Sequence, residues 1–210
     1  MKTRQTPVIA ARKSPRQARS TQLVNAILEA AVRVLGREGA RRFTTARVAA
    51  EAGVSVGSLY QYFPNKEAIL FRLQTDEWRQ TGDLLTRILS DPQRQPLDRL
   101  RLAVRAFFHS ECDEAQVRLA LGDAAPLYRQ TPEARELRKS GARRSESFMK
   151  EVLPRATAAQ RKIAADIVMT TMSAVGKTIS ERTVSRAEVD NFAQATSDMF
   201  CAYLQKLAQN

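Results

Sequence analysis

The chain has 210 residues, enough for one large domain or a small one joined to a larger one. It is 43% hydrophobic and 27% charged, with only eight glycines and eight prolines, and the helix formers Ala, Leu, Arg, Glu and Gln dominate, so an all-α protein is expected. No apolar run reaches the roughly 18–20 residues that cross a bilayer, two cysteines exclude a disulfide framework, and a formal net charge of +12 fits a polyanionic partner.

That charge is unevenly spread. Residues 1–66 carry an excess of nine positive charges and the other 144 only three. Residues 1–18 are basic, contain Pro7 and Pro15 and lack any acid, which predicts a disordered basic arm. The arm has no apolar stretch of the signal-peptide kind, so the expected location is the cytoplasm.

The first helix is expected from about Thr21, with Leu23, Ala26, Ile27, Ala30, Ala31, Val34 and Leu35 on one face and Gly36 and Gly39 at its end. A short helix follows from Thr44 to Ala52, and Gly53 breaks it. Ser55 is placed to cap the next, which runs to Phe63 before Pro64 stops it. Asn65 caps a long helix from Lys66 to about Leu89, and DPQRQP at 91–96 is the clearest loop. Further helices are expected near 97–112, 115–129, 132–152, 157–182 and 185–207, about nine in all. The implied organisation is an arm over 1–18, a three-helix domain over 19–66 and a larger helical domain over 67–210.

The stretch from Thr44 to Phe63 has the spacing of a helix-turn-helix. Ala49 must be small where the second helix crosses, Gly53 turns the chain without a Cβ, and Leu59 plugs the space between the helices. The segment FTTARVAAEAGVSVGSLYQYFPNKEAIL, residues 43–70, resembles the N-terminal domain of the TetR/AcrR family of bacterial transcriptional regulators. Phe43-Thr44-Thr45, Val48-Ala49, Gly53-Val54, Leu59-Tyr60, Tyr62-Phe63 and Asn65-Lys66-Glu67 carry the likeness.

The resemblance implies that Thr45 and Tyr60 touch phosphates, with Arg47 adding a contact and Lys66 clamping from the following helix. It implies that the third helix, capped by Ser55, presents Val56, Gly57, Ser58, Gln61 and Tyr62 to the major groove. This face lacks Arg and Asn, the usual bidentate readers of guanine and adenine, so much of the specificity is expected from DNA shape.

For the C-terminal two-thirds the resemblance implies a domain that forms a homodimer and binds a small-molecule effector. Apolar residues lie on two sides of the 157–182 helix: Ile163, Ile167, Thr171 and Ala174 on one, Val168, Met172, Val175 and Ile179 on the other. With Phe192, Thr196, Met199, Phe200 and Tyr203 of the last helix, the residues Ile167, Thr171 and Ala174 are the expected dimer interface. Trp78, Phe107, Phe108, His109, Cys112, Leu127, Tyr128, Phe148, Met149 and Met169 are the candidates for a lipophilic pocket.

His109 is the one histidine and has no neighbour at metal-ligand spacing, so neither a metal nor a cofactor is expected. No nucleophile–base, phosphate-loop or dinucleotide signature points to an enzyme. The expected function is a repressor that binds a palindromic operator in double-stranded DNA as a homodimer and is released by a small lipophilic effector. A nonspecific architectural DNA-binding protein is the alternative.

Overall fold

The computed structural model describes residues 18–127, 131–182 and 184–209. Among them lie nine α-helices, one short 3-10 turn at 125–127 and no strand. The helices are α1 (Ala18–Arg42), α2 (Thr45–Glu51), α3 (Val56–Tyr60), α4 (Lys66–Leu89), α5 (Pro96–Asp113), α6 (Ala115–Ala124), α7 (Pro132–Val152), α8 (Ala158–Ser180) and α9 (Arg186–Gln209). No described helix is long and apolar enough to cross a membrane.

The chain divides into two compact units. The first comprises residues up to Trp78 together with 116–135; the second comprises 79–115 and 136–210.

In the first unit, α1 buries Val24, Ile27, Ala30, Ala31, Val34 and Leu35, the i, i+3, i+4 pattern of one helix face. Val48 and Ala49 of α2 and Leu59 of α3 pack into the same core with Phe43 and Phe63. The front of α4 adds Ile69 and Leu70, and α6 adds Ala120 and Leu121. Complete burial of a side chain such as Phe63 or Ile69 contributes about 1.5–3 kcal/mol. The α1 helix runs past Gly36 and breaks at Gly39, whose φ of 70° is cheap only without a Cβ.

In the second unit, α5 packs against both α8 and α9. Pro96 opens α5, where its missing N–H costs nothing. The helix then aims Leu100, Val104, Phe107 and Phe108 at Val168 and Met172 of α8 and at Val189, Phe200 and Leu204 of α9. Thr157 and Gln160 form a reciprocal capping box at the start of α8. Ser185 and Glu188 exchange the same pair of bonds at the start of α9. Arg99 is buried; it donates to the Leu89 carbonyl, pairs with Glu151 and lies over the Phe148 ring at 6.0 Å.

Candidate nucleic-acid interface

Two short helices build the exposed head. Thr44 caps α2, its side chain accepting from the Arg47 N–H at 3.3 Å. The turn to α3 closes through Gly53, with φ of 67°, and through the Val54 N–H to the Ala49 carbonyl at 3.0 Å. Ser55 caps α3 by accepting from the Ser58 N–H at 3.0 Å, and its Oγ lies 2.8 Å from the Ser58 Oγ. Leu59 is completely buried and fixes the roll of α3 about its axis. That roll turns Val56, Gly57, Tyr60 and Gln61 outward and leaves Ser58 half-exposed.

Thr45 starts α2 and Tyr60 ends α3, yet their hydroxyls meet at 3.1 Å. Asn65 Oδ1 accepts from the Ala68 N–H at 2.8 Å and so starts α4 at Lys66, which is half-exposed. Arg47 is exposed but engaged: one guanidinium nitrogen meets both the Glu38 carboxylate and the Arg42 carbonyl.

Tyr62 departs from the sequence reading. The third helix ends at Tyr60, three residues before the expected Phe63. The N–H groups of Tyr62 and Phe63 both converge on the Leu59 carbonyl, and this tightened turn brings Tyr62 inside, where it is 6% exposed. Its ring belongs to the core of the first unit and not to the outward face.

The proposed interface residues of the second unit also separate. Ile163, Ile167, Met199 and Phe192 are exposed, between 38% and 55%. Ala174 is exposed, and Thr171 and Tyr203 are half-buried. Thr196 and Phe200 are buried within the unit, because α5 packs against that edge of the α9 stripe. They correct the expectation: both are core residues of this chain. On α8 the two apolar sides diverge as well, with Val168, Met172 and Ile179 buried and Ile163 and Ile167 outward.

Of the pocket candidates, Phe148, Met149 and Met169 come together in an apolar cleft with Leu85, Leu89, Leu100, Ala103, Ser145, Val168 and Met172. The cavity is about 30 Å³, the room of a single water molecule. Phe107 and Phe108 are core residues outside this cleft, and Trp78 lies half-buried in the first unit. His109 is turned to Asp190, with Nε2 2.7 Å from Oδ1, and Cys112 packs at the edge of the core. The side chain of Leu127 and the whole of Tyr128 lie outside the described residues.

Sequence reasoning missed the acids of this molecule. Glu51 receives Arg33 and Arg37 from α1, which hold its carboxyl below the usual range. Asp190 is held at a pKa of about 2 by Arg105 and then by His109. Burial, and then the neighbouring Asp113 and Glu111, push the Cys112 thiol up, away from the reactive thiolate.

A head of short helices with an exposed, hydroxyl-rich reading helix, in a chain whose remaining helices form a second unit, defines a helix-turn-helix transcriptional regulator. Residues 27–73 match the family of bacterial regulatory proteins of the tetR type, and residues 95–207, more than half of the chain, match the tetracyclin repressor-like C-terminal domain. The chain belongs to the TetR family of transcriptional regulators.

A fatty acid metabolism regulator protein of Bacillus subtilis strain 168 is 32% identical over 78 residues, which cover 37% of this chain and 39% of that protein. The match thus spans well under half of that relative's length. The fold is shared with the fatty acid degradation regulator FadR of Bacillus halodurans at a TM-score of 0.69 and 16% identity, over 89% of this chain and 96% of that one. It is also shared with the TetR-family repressor AlkX of Dietzia, implicated in n-alkane biodegradation, at 0.58 and 20% identity, over 92% and 99%.

Proposed function

We propose that this regulator is a ligand-inducible repressor that grips a palindromic operator as a homodimer and lets go when a small lipophilic effector binds. The observation that carries the DNA half of this reading is the meeting of the Thr45 and Tyr60 hydroxyls at 3.1 Å. Two hydroxyls from different helices that meet at the surface make a site for one backbone phosphate and fix the register of α3 in the groove, with Lys66 at the start of α4 as a further phosphate clamp. Val56 and Ser58 then face base edges, suited to a thymine methyl and a single hydrogen bond.

The dimer reading is supported by Ile163, Ile167, Phe192 and Met199, large apolar side chains that a lone chain leaves in water. On a palindromic operator the two reading helices of such a homodimer would enter successive major grooves, about one DNA turn or roughly 34 Å apart. The effector reading rests on the cleft around Phe148, Met149, Met169 and Met172. Flexible methionines can part to admit an alkyl chain, and the relatives that act in fatty acid and alkane metabolism favour such a ligand.

The test is a binding-site selection from random duplex DNA, followed by footprinting of the selected duplex. Protection of one short palindrome, lost in the Tyr60→Ala/Lys66→Ala double variant, is the expected result. A uniform coat along any duplex would support an architectural protein instead, and undiminished binding by the double variant would remove these residues from the interface. Octanoate, palmitate and their coenzyme A esters, added to the preformed complex, test the effector: at least one is expected to release the DNA.

A further inference from the structure

Arg47 stands in the sequence as one more cation for the phosphate backbone. Its surroundings say otherwise. The α2 helix has seven residues, too few to hold a helix by its own hydrogen bonds, and Val48 and Ala49 alone anchor it inward. What fixes its orientation on α1 therefore fixes α3 and Thr45 too.

The α1 helix has a break at Gly39. Glu38 lies just before that break and Arg42 three residues after it. The Arg47 guanidinium meets the Glu38 carboxylate, and the same nitrogen donates to the Arg42 carbonyl at 2.9 Å, so it bridges the two sides of the break. At the other end of α2, Glu51 receives Arg33 at 2.9 Å and Arg37 at 3.2 Å, and Arg37 lies 3.5 Å from Glu38. The five side chains alternate in sign as Arg33, Glu51, Arg37, Glu38, Arg47 and tie both ends of α2 to α1. Isolated surface pairs are weak, but a network anchored to a backbone carbonyl holds geometry better than any one of its pairs.

We infer that Arg47 is a positioning residue for DNA binding: it fastens α2 across the Gly39 break and gives its charge to Glu38 and the Arg42 carbonyl, not to a phosphate. Glu38 is its counterpart, an acid that strengthens the grip on a polyanion by holding Arg47 in place. The inference rests on the reading of α2 and α3 as the DNA-binding head.

The test is operator affinity against salt, using the duplex recovered by selection on the full-length wild-type protein. A cation that neutralises a phosphate contributes about 0.9 to the slope of log K against log salt. Lys66→Met, the reference, is expected to lower that slope by about 0.9. Arg47→Met is expected to weaken binding about three- to fivefold at every salt concentration with the slope unchanged, the scale of a surface ion pair. Glu38→Gln removes a negative charge and would tighten binding by simple electrostatics; it is expected to weaken binding about as much as Arg47→Met, and the double variant no further.

A slope that falls by about 0.9 in Arg47→Met would overturn the proposal, and so would tighter binding by Glu38→Gln. Failure of the underlying reading looks different: Tyr60→Ala/Lys66→Ala would then bind as wild type does.

Discussion

The hydroxyls of Thr45 and Tyr60 lie 3.1 Å apart, joining the first residue of one short helix to the last of another. One of the two protons lies between the oxygens, so the pair keeps one O–H to offer outward. A phosphate oxygen is the acceptor such a lone donor suits. Removing either hydroxyl frees the other but loses its orientation. Tyr60→Phe and Thr45→Val are each expected to weaken operator binding about tenfold, the effect of one hydrogen bond to a charged group. The double variant should lose much less than the product of the two, a coupling of at least about 0.5 kcal/mol. Fluorescence anisotropy across several duplex sequences would check this, and the loss should be equal on all of them.

A second pair sits deeper in the first unit. Arg118 of α6 and Glu77 of α4 approach to 2.6 Å, with side chains only 11% and 12% exposed, and Gln74 donates to the other Glu77 oxygen at 2.8 Å. Breaking a nearly buried ion pair by removing one partner costs about 3–5 kcal/mol, whereas replacing both by apolar residues is often close to neutral. Glu77→Leu and Arg118→Met should therefore each lower the melting temperature sharply. Glu77→Leu/Arg118→Met together should recover most of the loss in the same calorimetric scan.

A third expectation concerns acid. Arg105 and then His109 hold Asp190 at a pKa of about 2, against an ordinary value of 3.8. A depressed carboxyl stabilises the fold while it is ionised, fully above its unfolded pKa, and that contribution is lost as pH falls through the folded one. The stability difference between wild type and Asp190→Asn should therefore be larger near pH 5 than near pH 2. The difference should shrink between about pH 4 and pH 2 in urea melts taken across that range. Because Asp190 sits on α9 and Arg105 and His109 on α5, the lost contacts are those fastening these two helices.

Local pattern made much of this legible. The face of α1, the Gly53 turn, the Ser55 cap and the start of α4 at Asn65 all depend on residues within a few positions of one another, and each could be read from spacing. Tyr62 was misplaced because the end of α3 is set by two N–H groups sharing one carbonyl, which side-chain spacing does not display. Thr196 and Phe200 were misplaced for a different reason. Their stripe is broad enough to serve two partners, and only the packing of α5 against α9 decides which part stays in water. Arg47 meets Glu38 across 9 residues and Arg37 meets Glu51 across 14, separations that no i, i+3 or i, i+4 pairing displays. Non-local pairing, not composition, was the missing information.

Two glycines should answer the same substitution with opposite signs. Both stand inside helices, where alanine in place of glycine gains up to about 1 kcal/mol of helix propensity. At Gly176 of α8 an added Cβ would lie 2.9 Å from Cε1 of Phe107 and 3.1 Å from Cγ of Glu111. Phe107 is only 8% exposed, so its ring has little room to retreat and α5 must move away from α8. Overpacking of this kind costs about 1–3 kcal/mol, which outweighs the propensity gain. At Gly82 of α4 the nearest atom is also close, at 2.7 Å, but it is the tip of the Arg144 side chain, which can swing aside. Gly176→Ala should therefore lower the melting temperature by a few degrees, on the scale of about 2–4 °C per kcal/mol for a chain of this size. Gly82→Ala should leave it unchanged or raise it. A fall of equal size in both would mean that the Arg144 tip is as fixed as the Phe107 ring, and that helix spacing is set as tightly at Gly82 as at Gly176.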